Sequence, residues 1–290
     1  MSATAAGPAL PDPLVRPLDR FERVELAELL TAAELLTRFD RKYLLDVAVL
    51  TELLERLDPA VRVLDIDGSR HFRYESVYFD TPALVSYHDA ARRRTARFKV
   101  RTRAYLDSGT CALEVKTRDH RGHSVKVRTP YAVDERGVLT EAGLAFVAGF
   151  EHPARYVAAL QPTLRTAYRR TTLLLPAGNR VTLDVELAFT SADGRRVEGG
   201  RHAVVESKSV GHPTAVDRVL WSLGHRPIPF SKYAVGMGLL HPGLAAHRWN
   251  RTLRQAFGWQ PEGHPQPARQ HAGPDVEHRR PAPPPAARAR

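Results

Sequence analysis

The stretch from Arg92 to Arg128 constrains this chain most, because three successive segments put cations on one parity and apolar residues on the other. In a β-strand alternate side chains share a face. Arg97, Lys99, Arg101 and Arg103 then lie together, with Phe98 and Val100 behind them. Glu114, Lys116 and Arg118 share a face opposite Leu113 and Val115, and Lys126 and Arg128 oppose Val125 and Val127. Asp107-Ser108-Gly109 and Arg121-Gly122 separate the runs at hairpin distance, which predicts antiparallel pairing. A polar face turned to water is the ordinary reading of such strands. Solvated faces, however, mix signs and use Ser, Thr and Gln freely. A row of cations at roughly 7 Å spacing repels itself unless a polyanion lies along it. If the sheet closes, that row lines an interior, and phosphate chains fit as its small, highly charged ligand.

Lysine usage sharpens this. Only six of the 43 basic residues are lysines: Lys42, Lys99, Lys116, Lys126, Lys208 and Lys232. The first five fall on the polar parity of an expected strand, and the sixth sits in Phe230-Ser231-Lys232-Tyr233. A compact ammonium contacts phosphate as a point charge, which a forked guanidinium does not. The excess of basic over 32 acidic residues gives a formal charge of +11. One cysteine, Cys111, excludes a disulfide framework and suits a reducing compartment. No apolar run approaches a membrane span, and the start lacks a signal-peptide segment, so a soluble, cytoplasmic protein is expected.

Residues 1–20 are Ala- and Pro-rich and read as disordered. A helix is expected around Glu25–Leu36, then a strand with Arg38, Asp40 and Lys42 on one face. Asp46 reads as the N-cap of a helix through Leu57. Val61–Ile66 and Phe72–Asp80 read as strands, and a short helix through Tyr87 leads into the basic run. Helices follow over Asp134–Phe150 and Pro153–Leu160. Strands resume at Leu164–Leu175, Arg180–Phe189 and Ala203–Lys208. They place Tyr168 with Arg170, Arg180 with Thr182, Asp184 and Glu186, and Glu206 with Lys208. A helix over His212–Leu223, an extended piece Ile228–Tyr233 and a capping helix to Leu240 complete the reading. From Pro261 on, eight of the 22 prolines crowd into thirty residues. The division expected is a disordered segment at 1–20, one domain over 21–245 and a disordered Pro/Arg-rich tail at 246–290.

The fold class that follows is α+β: an antiparallel β-barrel with helices packed around it, enclosing a water-filled cationic tunnel too charged to be a packed core. The ordered set Arg38-x-Asp40-x-Lys42-Tyr43, Tyr78-Phe79-Asp80-Thr81, Arg101-x-Arg103, Leu113-Glu114-Val115-Lys116-Thr117, Tyr168-x-Arg170, Leu183-Asp184-x-Glu186, Glu206-Ser207-Lys208 and Phe230-Ser231-Lys232-Tyr233 resembles the VTC domain. That is the polyphosphate polymerase branch of the triphosphate tunnel metalloenzyme, or CYTH-like, superfamily, and the match runs from about residue 21 to 240.

The resemblance implies a triphosphate tunnel that takes ATP with a divalent metal, Mn2+ or Mg2+, and transfers the terminal phosphoryl group to a growing polyphosphate chain. By motif, Lys42, Arg101, Arg103, Lys116, Lys126, Arg170, Arg180 and Lys232 match phosphate-binding positions, Tyr168 and Ser231 neutral donors, and Glu206 the metal carboxylate. Of these, Lys116, Arg101, Arg103, Lys42, Arg170 and Lys232 are expected to act on the transferred group. Lys99, Arg97 and Lys208 join the phosphate contacts by parity, and Glu114 and Glu186 join Glu206 as metal candidates. One of Arg92, Arg93 and Arg94 is a further phosphate ligand, its register ambiguous. Two positions depart from the family pattern. Arg118 stands where members often carry histidine, and Arg38 and Asp40 stand where the wider superfamily prefers glutamates. Two rivals share the cations: a triphosphatase that activates water, and a non-catalytic polyphosphate-binding subunit. Nucleic acid is excluded as a partner, since inward carboxylates interleave the cations and no stacking platform accompanies them. Such domains often work beside a separately encoded membrane partner, which would hold this one at the inner face of the membrane. Among the histidines only His120 and His123 approach metal-ligand spacing, at a turn where solvent exposure is expected. No Walker A loop, Rossmann glycine signature or nucleophile elbow is present.

Overall fold

A computed structural model describes residues 12–33, 39–118, 123–176 and 178–261. The strands are β1 (Glu22–Val24), β2 (Phe39–Asp46), β3 (Arg62–Leu64), β4 (Phe72–Asp80), β5 (Lys99–Tyr105), β6 (Thr110–Arg118), β7 (Ser124–Tyr131), β8 (Gln161–Leu174), β9 (Arg180–Ser191), β10 (Arg196–Glu198) and β11 (His202–Ser209). The helices are α1 (Asp12–Asp19), α2 (Leu26–Ala33), α3 (Val47–Arg56), α4 (Val85–Ala91), α5 (Glu141–Ala148), α6 (Glu151–Ala154), α7 (Ala215–Ser222), α8 (Lys232–Leu240) and α9 (Asn250–Phe257), with a 3-10 turn at Val157–Ala159. Local chemistry explains several boundaries. The Asp46 carboxylate accepts from the Ala48 N–H at 2.9 Å and starts α3. Thr214 and Asp217 form a reciprocal capping box on α7. Gly109, at φ +64°, supplies the left-handed residue in the β5–β6 turn. The turn at Arg121-Gly122 lies outside the described residues, as does Arg38.

The sheet runs β2-β11-β9-β8-β4-β5-β6-β7, antiparallel throughout, with β3 added to β8, β10 to β9, and β1 parallel to β3. The basic hairpins pair as the parity predicts, although Val125 and Val127, expected behind the cations of β7, are exposed. Lys99 pairs with Lys116, Arg101 with Glu114, and Lys116 with Lys126. The expected closure is corrected: among the described residues no ladder joins β2 to β7, so the barrel is open. The Ile228 N–H takes the outward Lys42 carbonyl at 2.8 Å, a group a closing strand would need, and Pro130 removes a donor from β7. The sheet is nonetheless curled: Lys99 of β5 and Asp184 of β9 meet the adjacent residues Ser231 and Lys232 across its concave side.

Both faces of this sheet carry apolar cores. The convex face of β2, β11 and β9 packs Tyr43, Leu45, Val181, Leu183, Val185 and Val205 against Leu50, Leu53 and Leu54 of α3. Phe79, Val100, Leu113 and Val115 bury Val147 of α5. On the concave side α8 fills part of the curl, with Tyr233, Ala234 and Met237 against Leu164, Tyr168, Leu187 and Phe189. Apolar residues of β9 therefore change face between Val185 and Leu187. A β-bulge does this: the β8–β9 register slips between Ala167 and Arg169, and Glu186 adopts φ +53°. Glu186 leaves the concave face, contrary to its parity with Asp184, and pairs with Arg169 at 3.1 Å beside Val47, Ala48 and Arg201.

Two expectations of disorder are also corrected. Asp12–Asp19 is helical and buries Leu14 and Leu18 against α3, while Asn250–Phe257 is helical and Trp249 and Leu253 are buried with α8. Residues 1–11 and 262–290 lie outside the described residues. Among the described residues no helix is long and apolar enough to cross a membrane.

Candidate active site

Three groups of charge line the concave face. On β2 and β11, in register, Lys42 Nζ lies 3.0 Å from Glu206 Oε1 and 3.8 Å from Asp40, and Lys208 bonds both Asp40, at 3.0 Å, and Glu206. Burial would raise Glu206, but Lys208 and Lys42 outweigh it and hold the carboxyl well below its usual range. Burial likewise works against Lys42, and Glu206 and Asp40 overcome it to raise its pKa.

On β8 and β9, Arg170 donates Nε and Nη2 to the two oxygens of Asp184 at 2.6 and 2.8 Å. Lys232, the first residue of α8, bonds the same carboxylate and stands 4.2 Å from the centre of the Tyr168 ring. Arg170 lies over the rings of both Tyr74 and Tyr168. Burial opposes the ionised form of Asp184, yet Arg170 and Lys232 keep its pKa lowered.

The third group joins β5, β6 and β7. Arg101 donates twice to Glu114 Oε2, at 2.8 and 2.7 Å, and once to the Tyr78 hydroxyl at 3.0 Å. Arg103 and Lys126 approach the same buried carboxylate at 3.8 and 3.6 Å. Burial pulls Glu114 upward, but Arg101 and Lys126 prevail and lower it.

Lys99 and Lys116 stand apart. Neither has a carboxylate within ion-pair distance among the described residues. Lys99 donates to the Ser231 hydroxyl at 2.8 Å, and that hydroxyl also caps α8. Burial, reinforced by Lys116, Arg101 and Lys42, pushes Lys99 down to about 7. Lys116 keeps contact with solvent, yet the partial desolvation of the cleft around it lowers its pKa, with Lys42 and Arg101 adding to it against Asp40 and Glu206. Arg180 pairs across from Lys208 at the same end of the cleft.

Of the residues singled out by parity and motif, the fold brings together Lys42, Lys99, Arg101, Arg103, Lys116, Lys126, Tyr168, Arg170, Arg180, Glu206, Lys208, Ser231 and Lys232, with Glu114 behind them. Glu186 is turned away, and Arg97 precedes β5, donating to the Arg94 carbonyl at 2.9 Å. The motif reading quoted Tyr78 but gave it no role, and it passed over Tyr74; the even parity both share on β4 was the available signal. Two buried hubs stand behind the site: Asp217, which was missed, and Asp80, which was quoted in a motif without a role. Asp217 accepts from Tyr43, Ser207 and Thr214 at 2.7 to 3.0 Å and pins α7 to the back of β2 and β11. Asp80 accepts from Tyr233 and from the N–H groups of Thr81, Ser86 and Tyr87, fixing α8 and α4 to β4.

No cluster of three or more His, Cys, Asp or Glu occurs among the described residues. A hard divalent cation nevertheless fits Glu206 with Asp40, because such ions take one or two carboxylates and complete their shell with water and phosphate oxygens. Both Glu206 and Glu114 are held ionised by cations, but Glu206 keeps 16% of its side chain exposed to the cleft against 2% for Glu114, and Glu186 lies on the other face.

A family model described as the VTC domain matches residues 37–241. No curated protein matches. Similar solved structures include HpAC1 of Hippeastrum, named as an adenylyl cyclase with dominant triphosphatase activity. It is 17% identical, with 70% of this chain and 96% of that one covered at a TM-score of 0.45. The PH1819 protein of Pyrococcus horikoshii OT3 is 13% identical, with 69% and 97% covered and a TM-score of 0.40.

Proposed function

The chain belongs to the VTC domain family, and on that footing we propose that it transfers the terminal phosphoryl group of ATP to a polyphosphate chain. The working unit is the expected domain 21–245 extended by α1 and α9, which pack on it. The observation that carries the reading is the surplus of cations on the concave face: each carboxylate there already holds at least two basic partners, and Lys99 and Lys116 have no carboxylate among the described residues. Such a row is stable only against a polyanion.

Phosphoryl transfer asks for positioning and charge stabilisation more than covalent help. Lys42, Arg170 and Lys232 on one wall and Arg101, Arg103 and Lys116 on the other hold phosphate oxygens in line. Arg103 offers an Nε that has no acceptor among the described residues. Lys99, Lys126, Arg180 and Lys208 extend the contact along the chain, with Tyr168 and Ser231 as neutral donors. Mn2+ or Mg2+, held by Glu206 and Asp40, would neutralise charge developing on the transferred group. The acceptor is a terminal phosphate oxygen, already ionised, which needs no general base.

Hydrolysis is the second reading, because the sheet is open between β2 and β7 among the described residues and Lys116 in the cleft is exposed to water. Incubation with ATP and Mn2+, followed by a gel stained for polyphosphate, separates the two. Long chains, lost in Lys116→Ala and Glu206→Ala, are the expected product. Orthophosphate without chains would move the assignment to a triphosphatase, and binding without turnover would leave a polyphosphate-holding subunit.

A further inference from the structure

The cation ladder does not stop at Lys99 and Lys116. These two are paired across β5 and β6, and the same register carried one step outward sets Arg97 across from Arg118. Arg97 precedes the first residue of β5, and Arg118 is the exposed last residue of β6. A third arginine arrives from outside the matched family region, which ends at residue 241. Arg248 donates Nη1 to the Ala90 carbonyl at the end of α4, at 3.3 Å, and its Nε is buried with no acceptor among the described residues. The segment bearing it is anchored: Trp249 is buried against Tyr87, with ring centres 5.7 Å apart, and Leu253 packs under α8. Several arginines at or near the surface, such as Arg73, Arg136 and Arg195, are paired to a carboxylate. Arg97, Arg118 and Arg248 have none among the described residues.

We propose that Arg97, Arg118 and Arg248 form an outer subsite for linear polyphosphate, one step beyond Lys99 and Lys116, which grips chains longer than the inner cleft holds. The proposal rests on the polyphosphate reading above and adds a second, length-selecting contact to it. The electrostatics agree. Burial lowers Arg97, and Arg118 and Arg248 lower it further; Arg248 is lowered by burial and then by Arg93 and Arg118. Lys99 feels Arg248 as well, so the outer and inner cations form one continuous field. Guanidinium groups suit the role, since each presents a fork to successive phosphate oxygens. A nucleic acid would want exposed rings to stack on, and the ring beside Arg248 is buried.

Titration of wild type, Arg118→Glu, Arg248→Glu and Arg248→Lys with tripolyphosphate and with long linear polyphosphate tests this. Long-chain affinity is expected to fall about tenfold or more in each charge reversal, as for loss of a charge-assisted contact, and to survive in Arg248→Lys. Tripolyphosphate affinity should stay within about twofold, which also certifies that the inner cleft is folded. Equal losses for both ligands, or no loss for the long one, would overturn the outer subsite and leave the inner reading standing. A single-stranded oligonucleotide bound as tightly as polyphosphate, with the same losses, would overturn the ligand class. Wild type that ignores tripolyphosphate would overturn the inner reading itself, and long-chain binding then decides the outer site alone.

Discussion

Lys99 shows what a single side chain in such a cleft must do. Its ordinary value is 10.5, and burial with neighbouring cations brings it to about 7 in the fold. Between those values the unfolded chain binds more protons, so stability rises with pH across that window, and the penalty is fully present below it. Lys99→Met should therefore raise the melting temperature most at about pH 7 and below, the gap narrowing as pH climbs toward 10.5. A gap that ignores pH would show that the lysine is not depressed. The same variant should lose the proton uptake that accompanies tripolyphosphate binding near neutrality, read by calorimetry in buffers of different ionisation enthalpy. Glu206→Gln leaves Lys42 and Lys208 facing one another. It should bind tripolyphosphate more tightly without metal, yet lose metal-dependent turnover by about 100-fold or more. At this scale the sequence was informative where residue type and parity agreed: all six lysines reach the concave cleft. It failed at Glu186, where Val185-Glu186-Leu187 contains no glycine to advertise a bulge.

Secondary-structure elements transmit these effects. Helix α8 lies against the curled sheet so closely that a Cβ on Gly236 would come within 2.6 Å of Phe189 Cδ1 and 2.7 Å of Leu164 Cδ2. Gly236→Ala is expected to cost about 1–3 kcal/mol, and to shift Ser231 and Lys232, which head the same helix. Lower denaturant midpoint together with weaker tripolyphosphate binding is the predicted pair of results. A midpoint loss with unchanged affinity would mean the helix accommodates without moving its start. On the opposite face, Asp217→Ala removes the acceptor for three side chains and should cost about 3 kcal/mol or more in urea unfolding. Elements with strong local signals were legible in the sequence, as the Asp46 cap and the three basic strands show. Helices α1 and α9 were not. The first lies in an Ala- and Pro-rich stretch and the second in one poor in apolar residues, and what holds each is a few anchors, Leu14 and Leu18 in one case, Trp249 and Leu253 in the other. Averages hide anchors.

Taken as a whole, the molecule concentrates its positive charge on one concave surface, and its stability should answer to whatever lies there. Polyphosphate at about 100 times its Kd is expected to add about 2.7 kcal/mol, a rise of about 5–10 °C for a chain of this size. Sodium chloride at equal ionic strength should give a far smaller rise, because it screens the repulsion without bridging the cations. The curl was legible from the sequence, since the inward charge demanded it. Its failure to close was not, because that depends on Ile228, remote in sequence, taking the backbone carbonyl of Lys42. With no ladder between β2 and β7 among the described residues, the enclosure is a clasp rather than a ring. A ring must be threaded by a free end. A clasp can be loaded sideways, along the middle of a polymer, whenever its jaws part. Circular or end-blocked phosphate polymers should accordingly compete with linear ones for the cleft, and their inability to do so would mean the jaws stay shut.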